Sequence, residues 1–333
     1  MSTTVGKPEN QTAQTPLIRA EHFRKVYFPT VAVADISISI NKGDILALVG
    51  ANGAGKSTLT KALSGVINCD SGELFFDGKQ VDLSNYSPAV ARDLGIRVVH
   101  QELSLCKNLT VYENFYVEQS QSMKGGFGWR NKARQMAREA LDNVFPGNDI
   151  DVNLGLDKLS IAQQQMVEIA RATSDKNMKL MILDEPVDGL DPVMRRQIWS
   201  ILMSEVAEHK MTVLVSSHNL RELEDVCDHV GIMNKGSIMI ERSLMELQGN
   251  ISKVQIACQT GMPKMPKEFE VLHMSNSGRV YTMIVKGNPK EVARAVSAEE
   301  DNLAIVDILP LTLEEIFIYE MGGADYEVKD ILF

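Results

Sequence analysis

The stretch Gly50-Ala51-Asn52-Gly53-Ala54-Gly55-Lys56-Ser57-Thr58 has the spacing G-x-x-x-x-G-K-S. It lies between an apolar run, Ile45-Leu46-Ala47-Leu48-Val49, and a helical pattern, Leu59-Thr60-Lys61-Ala62-Leu63. This is the strand–loop–helix context in which a glycine-rich loop curls its backbone N–H groups around a polyphosphate. A helix opening at Lys56 adds the positive end of its dipole. From that position Lys56 can reach the outer phosphates, and the Ser57 hydroxyl can ligate Mg²⁺. The chemistry implied is the binding of a nucleoside triphosphate.

Further residues suit such a ligand. Leu180-Met181-Ile182-Leu183 is a continuous apolar run that ends in Asp184-Glu185. An aspartate at the carboxyl end of a buried strand can hold Mg²⁺, and the adjoining Glu185 can orient or deprotonate an attacking water. His218 follows the run Thr212-Val213-Leu214-Val215-Ser216-Ser217. It leaves its strand at the carboxyl edge, where open α/β sheets bind ligands, and can contact a terminal phosphate. Gln101 closes Val98-Val99-His100-Gln101, where a strand gives way to helical pattern. Its amide can touch Mg²⁺ or water, although an ordinary strand-end glutamine reads the same way. Ser160 is a good N-cap for a helix over Gln164–Arg171, and the free N–H groups behind it form an anion site.

The elements that must position these residues alternate between strand and helix. A β-rich segment runs from Leu17 to about Gly78, including Val31–Ile40 and Gly72–Gly78. Helical periodicity dominates from about Ser84 to Ile169, with amphipathic segments near Ala133–Val144 and Gln163–Arg171. Buried-strand patterns at 180–183 and 212–215 then alternate with helical patterns at Pro192–Glu208 and Leu220–Cys227. The expectation is a doubly wound α/β core with an inserted helical subdomain. After Gly249 come short strands (Lys253–Ala257, Val280–Val285) and helices (Pro289–Val296, Leu313–Tyr319), with a loop at Thr260–Pro266. The chain divides as a polar, disordered tail over 1–15, a catalytic domain over 16–250 and an accessory α+β domain over 251–333. The helical subdomain falls at about 84–170.

Composition limits the alternatives. The chain has 333 residues, 44% of them hydrophobic, and a net charge of −10, which disfavours nucleic acid and anionic membrane surfaces as partners. Cys69, Cys106, Cys227 and Cys258 match no metal or redox spacing and read as free thiols in a reducing cytosol. No apolar run approaches the ~18 residues that would cross a bilayer, so any membrane role comes through a partner.

Taken in order, the phosphate loop, Gln101, the Ser160 motif, Asp184-Glu185, Gly189-Leu190-Asp191 and His218 resemble those of an ABC-transporter ATPase over roughly residues 17–245. The resemblance implies an α/β P-loop NTPase core, RecA-like and of ABC type, with an inserted α-helical subdomain. It implies ATP and Mg²⁺ as cofactors, a second ATPase subunit and transmembrane permease subunits as partners, and a peripheral place on the inner face of the membrane. Ser160 to Gln163 would complete the ATP site of the facing subunit, and Asp191 would lie in a loop at that interface. Tyr27 would stack on adenine, with a buried strand tyrosine as the alternative. Ile161 and Ala162 stand where the usual signature has two glycines. The run Leu159–Ala172, with Val99–Leu105 and Asn108–Asn114, resembles monosaccharide-importer ATPases over 17–186, which adds a sugar-binding protein as a possible partner. The motifs Pro186–Pro192, Ser216–Glu224 and Leu311–Phe317 instead resemble single-domain exporter-type ATPases. Sugar import is therefore the leading expectation, with efflux of a drug, peptide or lipid as the alternative. A soluble ATPase acting on DNA or ribosomes is a more distant one.

Overall fold

A computed structural model describes residues 15–100, 103–119, 126–175, 177–185, 192–258, 266, 268–299, 303–309 and 311–321. Gln101, the loop Pro186–Asp191 and nearly all of the expected tail and of the loop Thr260–Pro266 lie outside the described residues.

The chain opens with a hairpin of β1 (Ile18–Tyr27) and β2 (Thr30–Ile40), followed by β3 (Ile45–Val49), which ends at the phosphate loop. Helix α1 (Lys56–Leu63) leaves that loop, and β4 (Ser71–Phe76) and β5 (Lys79–Val81) complete an antiparallel sheet ordered β2-β1-β4-β5. Next come α2 (Pro88–Leu94) and β6 (Ile96–Val99). Because β6 joins the central sheet, the purely helical part of the insert starts after it rather than at Ser84. It comprises α3 (Val111–Gln119), α4 (Trp129–Val144) and α5 (Ile161–Thr173).

The chain then returns to the sheet through β7 (Leu180–Asp184), α6 (Pro192–His209), β8 (Thr212–Ser217), a single-turn α7 (Leu220–Leu223), β9 (His229–Asn234) and β10 (Ser237–Ser243). The central sheet is ordered β10-β9-β3-β8-β7-β6, and its five strands from β9 to β6 run parallel. The continuous apolar runs of β3, β7 and β8 follow from burial on both faces. Leu46, Leu48, Leu180, Ile182 and Leu214 face α1 and the antiparallel sheet. Ala47, Val49, Met181, Leu183, Val213 and Val215 face the helical side. Because the strands are parallel, the carboxyl ends of β3, β7 and β8 emerge at one edge, which is where a ligand of such a sheet sits.

Past α8 (Leu244–Asn250), β11 (Ile251–Cys258), β12 (Val271–Ser277), β13 (Val280–Lys286), α9 (Pro289–Glu299) and β14 (Leu303–Leu309) build a third, antiparallel sheet ordered β12-β13-β11-β14. Val254, Ile256, Met283, Val285, Val292 and Val296 form its own small core. Ile251 and Ile284, with Leu313 and Ile316 of α10 (Leu313–Met321), instead join the main core. Arg221 of α7 donates to Glu314 of α10 at 2.8 Å, a further tie between the two parts. Among the described residues, no helix is long and apolar enough to cross a membrane. Burial pushes the Cys69 and Cys227 thiols up to about 11 and about 12, so neither is poised as a thiolate.

Candidate nucleotide site

The phosphate loop is held from both sides. Gly55 sits at φ +104, and a Cβ there would meet the Ala32 carbonyl oxygen at 2.3 Å. Gly50 is boxed in the same way, since a Cβ on it would lie 2.4 Å from the Met233 carbonyl oxygen. The Ala54 carbonyl accepts from the Gly236 N–H at 2.9 Å, so the turn between β9 and β10 braces the loop. Asn52 and Gly53 are exposed, Ala54 is buried, and Ser57 and Thr58 lie half-buried on the first turn of α1.

Lys56 is buried beneath the loop, with Nζ donating to the Gly50 carbonyl at 2.7 Å and the Ala51 carbonyl at 3.3 Å. It also lies 3.5 Å from Oε1 of Glu185, and Nδ1 of His218 approaches the same oxygen at 3.6 Å. The Ser57 hydroxyl donates to Oδ1 of Asp184 at 3.2 Å. Residues expected from separate stretches of sequence thus meet where β3, β7 and β8 end. Glu185 adopts φ +51, a left-handed conformation that costs a non-glycine residue about 1–3 kcal/mol and that recurs at functional sites. His100 lies nearby; burial holds its pKa below the ordinary imidazole value, against the opposing pull of the Asp184 carboxylate. A hydroxyl beside a buried carboxylate is a hard oxygen set that suits Mg²⁺.

Tyr27 ends β1 and is 48% exposed, which removes the buried-strand alternative. Its ring lies 5.5 Å from Lys25 Nζ. Asp70 holds this strand tip, accepting from Val26 N–H at 2.7 Å and Lys25 Nζ at 2.9 Å. The Lys25 ammonium holds the Asp70 carboxyl below the usual carboxylate range.

Ser160 stands apart from this cluster, at the N-terminus of α5. Its side chain accepts from Gln163 N–H at 3.2 Å, while Oε1 of Gln163 accepts from Ser160 N–H at 3.1 Å, a reciprocal capping box. Ile161, 71% exposed, projects beside it. Ser160 and Gln163 line a cavity of about 650 Å³ shared with Asp149, Met194 and Gln197.

Two features escaped the sequence reading. Ser216 lies against Asp184 inside the sheet. Glu168, fully buried on α5, accepts from the Ser104 hydroxyl at 2.6 Å and from its N–H at 3.1 Å. A glutamate two turns into a helix offers no sequence signal of that partnership, because Ser104 is distant in the chain.

Residues 33–188 match the family model described as ABC transporter. The chain is 34% identical over 237 residues to the ribose import ATP-binding protein RbsA of Clostridium tetani, covering 71% of this chain and 45% of that one. Against RbsA of Chromobacterium violaceum it is 36% identical over 222 residues, covering 66% of this chain and 43% of that one. It thus spans under half the length of these relatives, and the stretch matched in C. tetani RbsA is longer than the 17–186 segment carrying the importer-like motifs. Among solved structures, a Clostridium perfringens protein described as part of the ABC transporter complex cbiONQ superposes with a TM-score of 0.59 at 27% identity, covering 70% of this chain and 90% of that one. An ATP-binding cassette of an ABC transporter in its ADP conformation superposes with a TM-score of 0.59 at 27% identity, covering 70% and 93%.

Proposed function

We propose that this chain, whose residues 33–188 match the ABC transporter family model, binds and hydrolyses MgATP to drive a membrane transporter. The observation that carries the reading is the convergence of Lys56, Glu185 and His218 about one carboxylate oxygen, with Ser57 on Asp184 beside them. In this reading the loop N–H groups cradle the phosphates, and the Lys56 ammonium exchanges its loop carbonyls and Glu185 for phosphate oxygens. Ser57 and Asp184 hold Mg²⁺, with Gln101 as a further contact. When bound, Mg²⁺ offsets the negative charge of the phosphates. Glu185 orients water and accepts its proton as the water oxygen bonds to the terminal phosphorus and the bond to ADP breaks. His218 contacts the terminal phosphate, and Tyr27 stacks on adenine.

Ser160, Gln163 and Asp191 serve the ATP site of a facing subunit rather than their own; the cavity that Ser160 and Gln163 line includes none of Lys56, Ser57, Asp184 and Glu185. Residues 16–250 act as the motor, with its helical subdomain running from after β6 to about residue 170, and 251–333 as an accessory domain. The substrate class we favour is a monosaccharide, imported through permease subunits supplied by a sugar-binding protein. Support comes from the importer-like motifs around Ser160 and Gln101 and from the names of the RbsA relatives. The exporter-like motifs at 186–192 and 216–224 keep efflux as the second reading. Such a subunit sits on the inner membrane face through its permease.

The test of the catalytic assignment is Glu185→Gln. The variant should still bind MgATP, while phosphate release drops by about 10²–10³-fold, as expected for loss of a general base. Undiminished release would remove Glu185 from its role.

A further inference from the structure

Ser216 has no part in the reading above, yet it is the residue that joins the two acidic groups. Its side chain is 0% exposed, in a strand whose preceding residues, Val213, Leu214 and Val215, are buried and apolar. A hydroxyl in such a place is costly unless it is hydrogen-bonded. It donates to Oδ1 of Asp184, the same oxygen that accepts from Ser57 at 3.2 Å. The Ser216 carbonyl accepts the Glu185 N–H at 3.0 Å. Laterally, Ser216 is in register with Asp184 on β7 and with Leu48 on β3, so it lies between the strand of the phosphate loop and the strand of the carboxylates.

We propose that Ser216 is a positioning residue for the metal and the water. Its hydroxyl holds the Asp184 carboxylate in one rotation beside Ser57, and its carbonyl anchors the Glu185 backbone in its left-handed conformation. Two hydroxyls, one from the first turn of α1 and one from β8, donate to one carboxylate oxygen, so Asp184 need not reorganise when the cation arrives. Outer partners of this kind commonly change metal affinity by about 10–100-fold when removed. The inference rests on the MgATP reading of the site and names a determinant within it.

The experiment uses the full chain with Ser216→Ala. ATP binding is measured by calorimetry with Mg²⁺ and again with EDTA, Mn²⁺ affinity in the presence of ATP by electron paramagnetic resonance, and folding by thermal melting. The variant should melt as a single transition and bind metal-free ATP like the parent. It should lose about tenfold of the affinity that Mg²⁺ adds, and about tenfold in Mn²⁺ affinity. An unchanged Mg²⁺ increment overturns the proposal. Equal losses with and without metal also overturn it, since packing alone would produce that pattern. A parent chain that binds ATP no better with Mg²⁺ than without would bring down the MgATP reading, and this inference with it.

Discussion

At the scale of single residues, the site depends on backbone shapes that few side chains tolerate. Gly55 combines φ +104 with a Cβ position 2.3 Å from a backbone oxygen, so neither rotation nor side-chain movement relieves a methyl group there. Gly55→Ala should therefore cost about 1–3 kcal/mol from the strained φ alone, visible as a lower denaturation midpoint, and should remove ATP binding. A variant that melts with the parent and binds ATP unchanged would show the loop to be less constrained than its contacts imply. The loop was legible in the sequence because its chemistry is local: the residues that curl, donate and ligate are neighbours in the chain. Asp184-Glu185 was legible because a buried apolar strand ends there in two acids. Ser216 was not, since a serine in Thr212–Ser217 reads only as one more strand residue until β7 is laid beside it.

At the scale of elements, the longer helices α4, α5 and α6 were read well, whereas the short α2 and α8, despite their caps, and the polar edge strand β12 were not. The strand pattern of β12 is obscured by His273, Ser275 and Asn276, whose side chains are exposed at the sheet edge. A strand ending near Gln101 was legible in the sequence, but its place in the central sheet became visible only through pairing with β7. Helix α10 shows how one acid can fix an element. Glu315 accepts from Thr312 N–H at 3.1 Å, completing a capping box, and from Lys253 of β11 at 2.5 Å. Burial pushes its carboxyl up, but the Lys253 and Thr312 donors outweigh it and the net shift is downward. A carboxylate lowered by folding contributes stability above its unfolded value of about 4.3 and loses it as pH falls through the folded value. Glu315→Gln should therefore lower the melting temperature at neutral pH, by up to about 1 kcal/mol of stability, and the gap from the parent should close below pH ~4. A gap that stayed constant down to that pH would assign the loss to packing instead of charge.

At the scale of the molecule, parallel strands carry the reacting groups to one sheet edge, and the helical insert carries Ser160 away from them. The link between Glu168 and Ser104 ties α5 to the segment that follows β6 through a buried carboxylate. In the sequence, a change of periodicity was the signal of the insert's helices α3 to α5. It did not convey how the accessory sheet attaches, because Ile251, Ile284, Leu313 and Ile316 meet the main core only after the chain has doubled back. The central claim is that the Lys56 loop grips a triphosphate, and titration calorimetry of MgATP into the parent chain and its Lys56→Ala variant tests it most directly. The account predicts saturable binding to the parent and none to the variant at the same concentrations. A parent that gives no heat of binding even at millimolar MgATP, or a variant that binds as tightly as the parent, would contradict it.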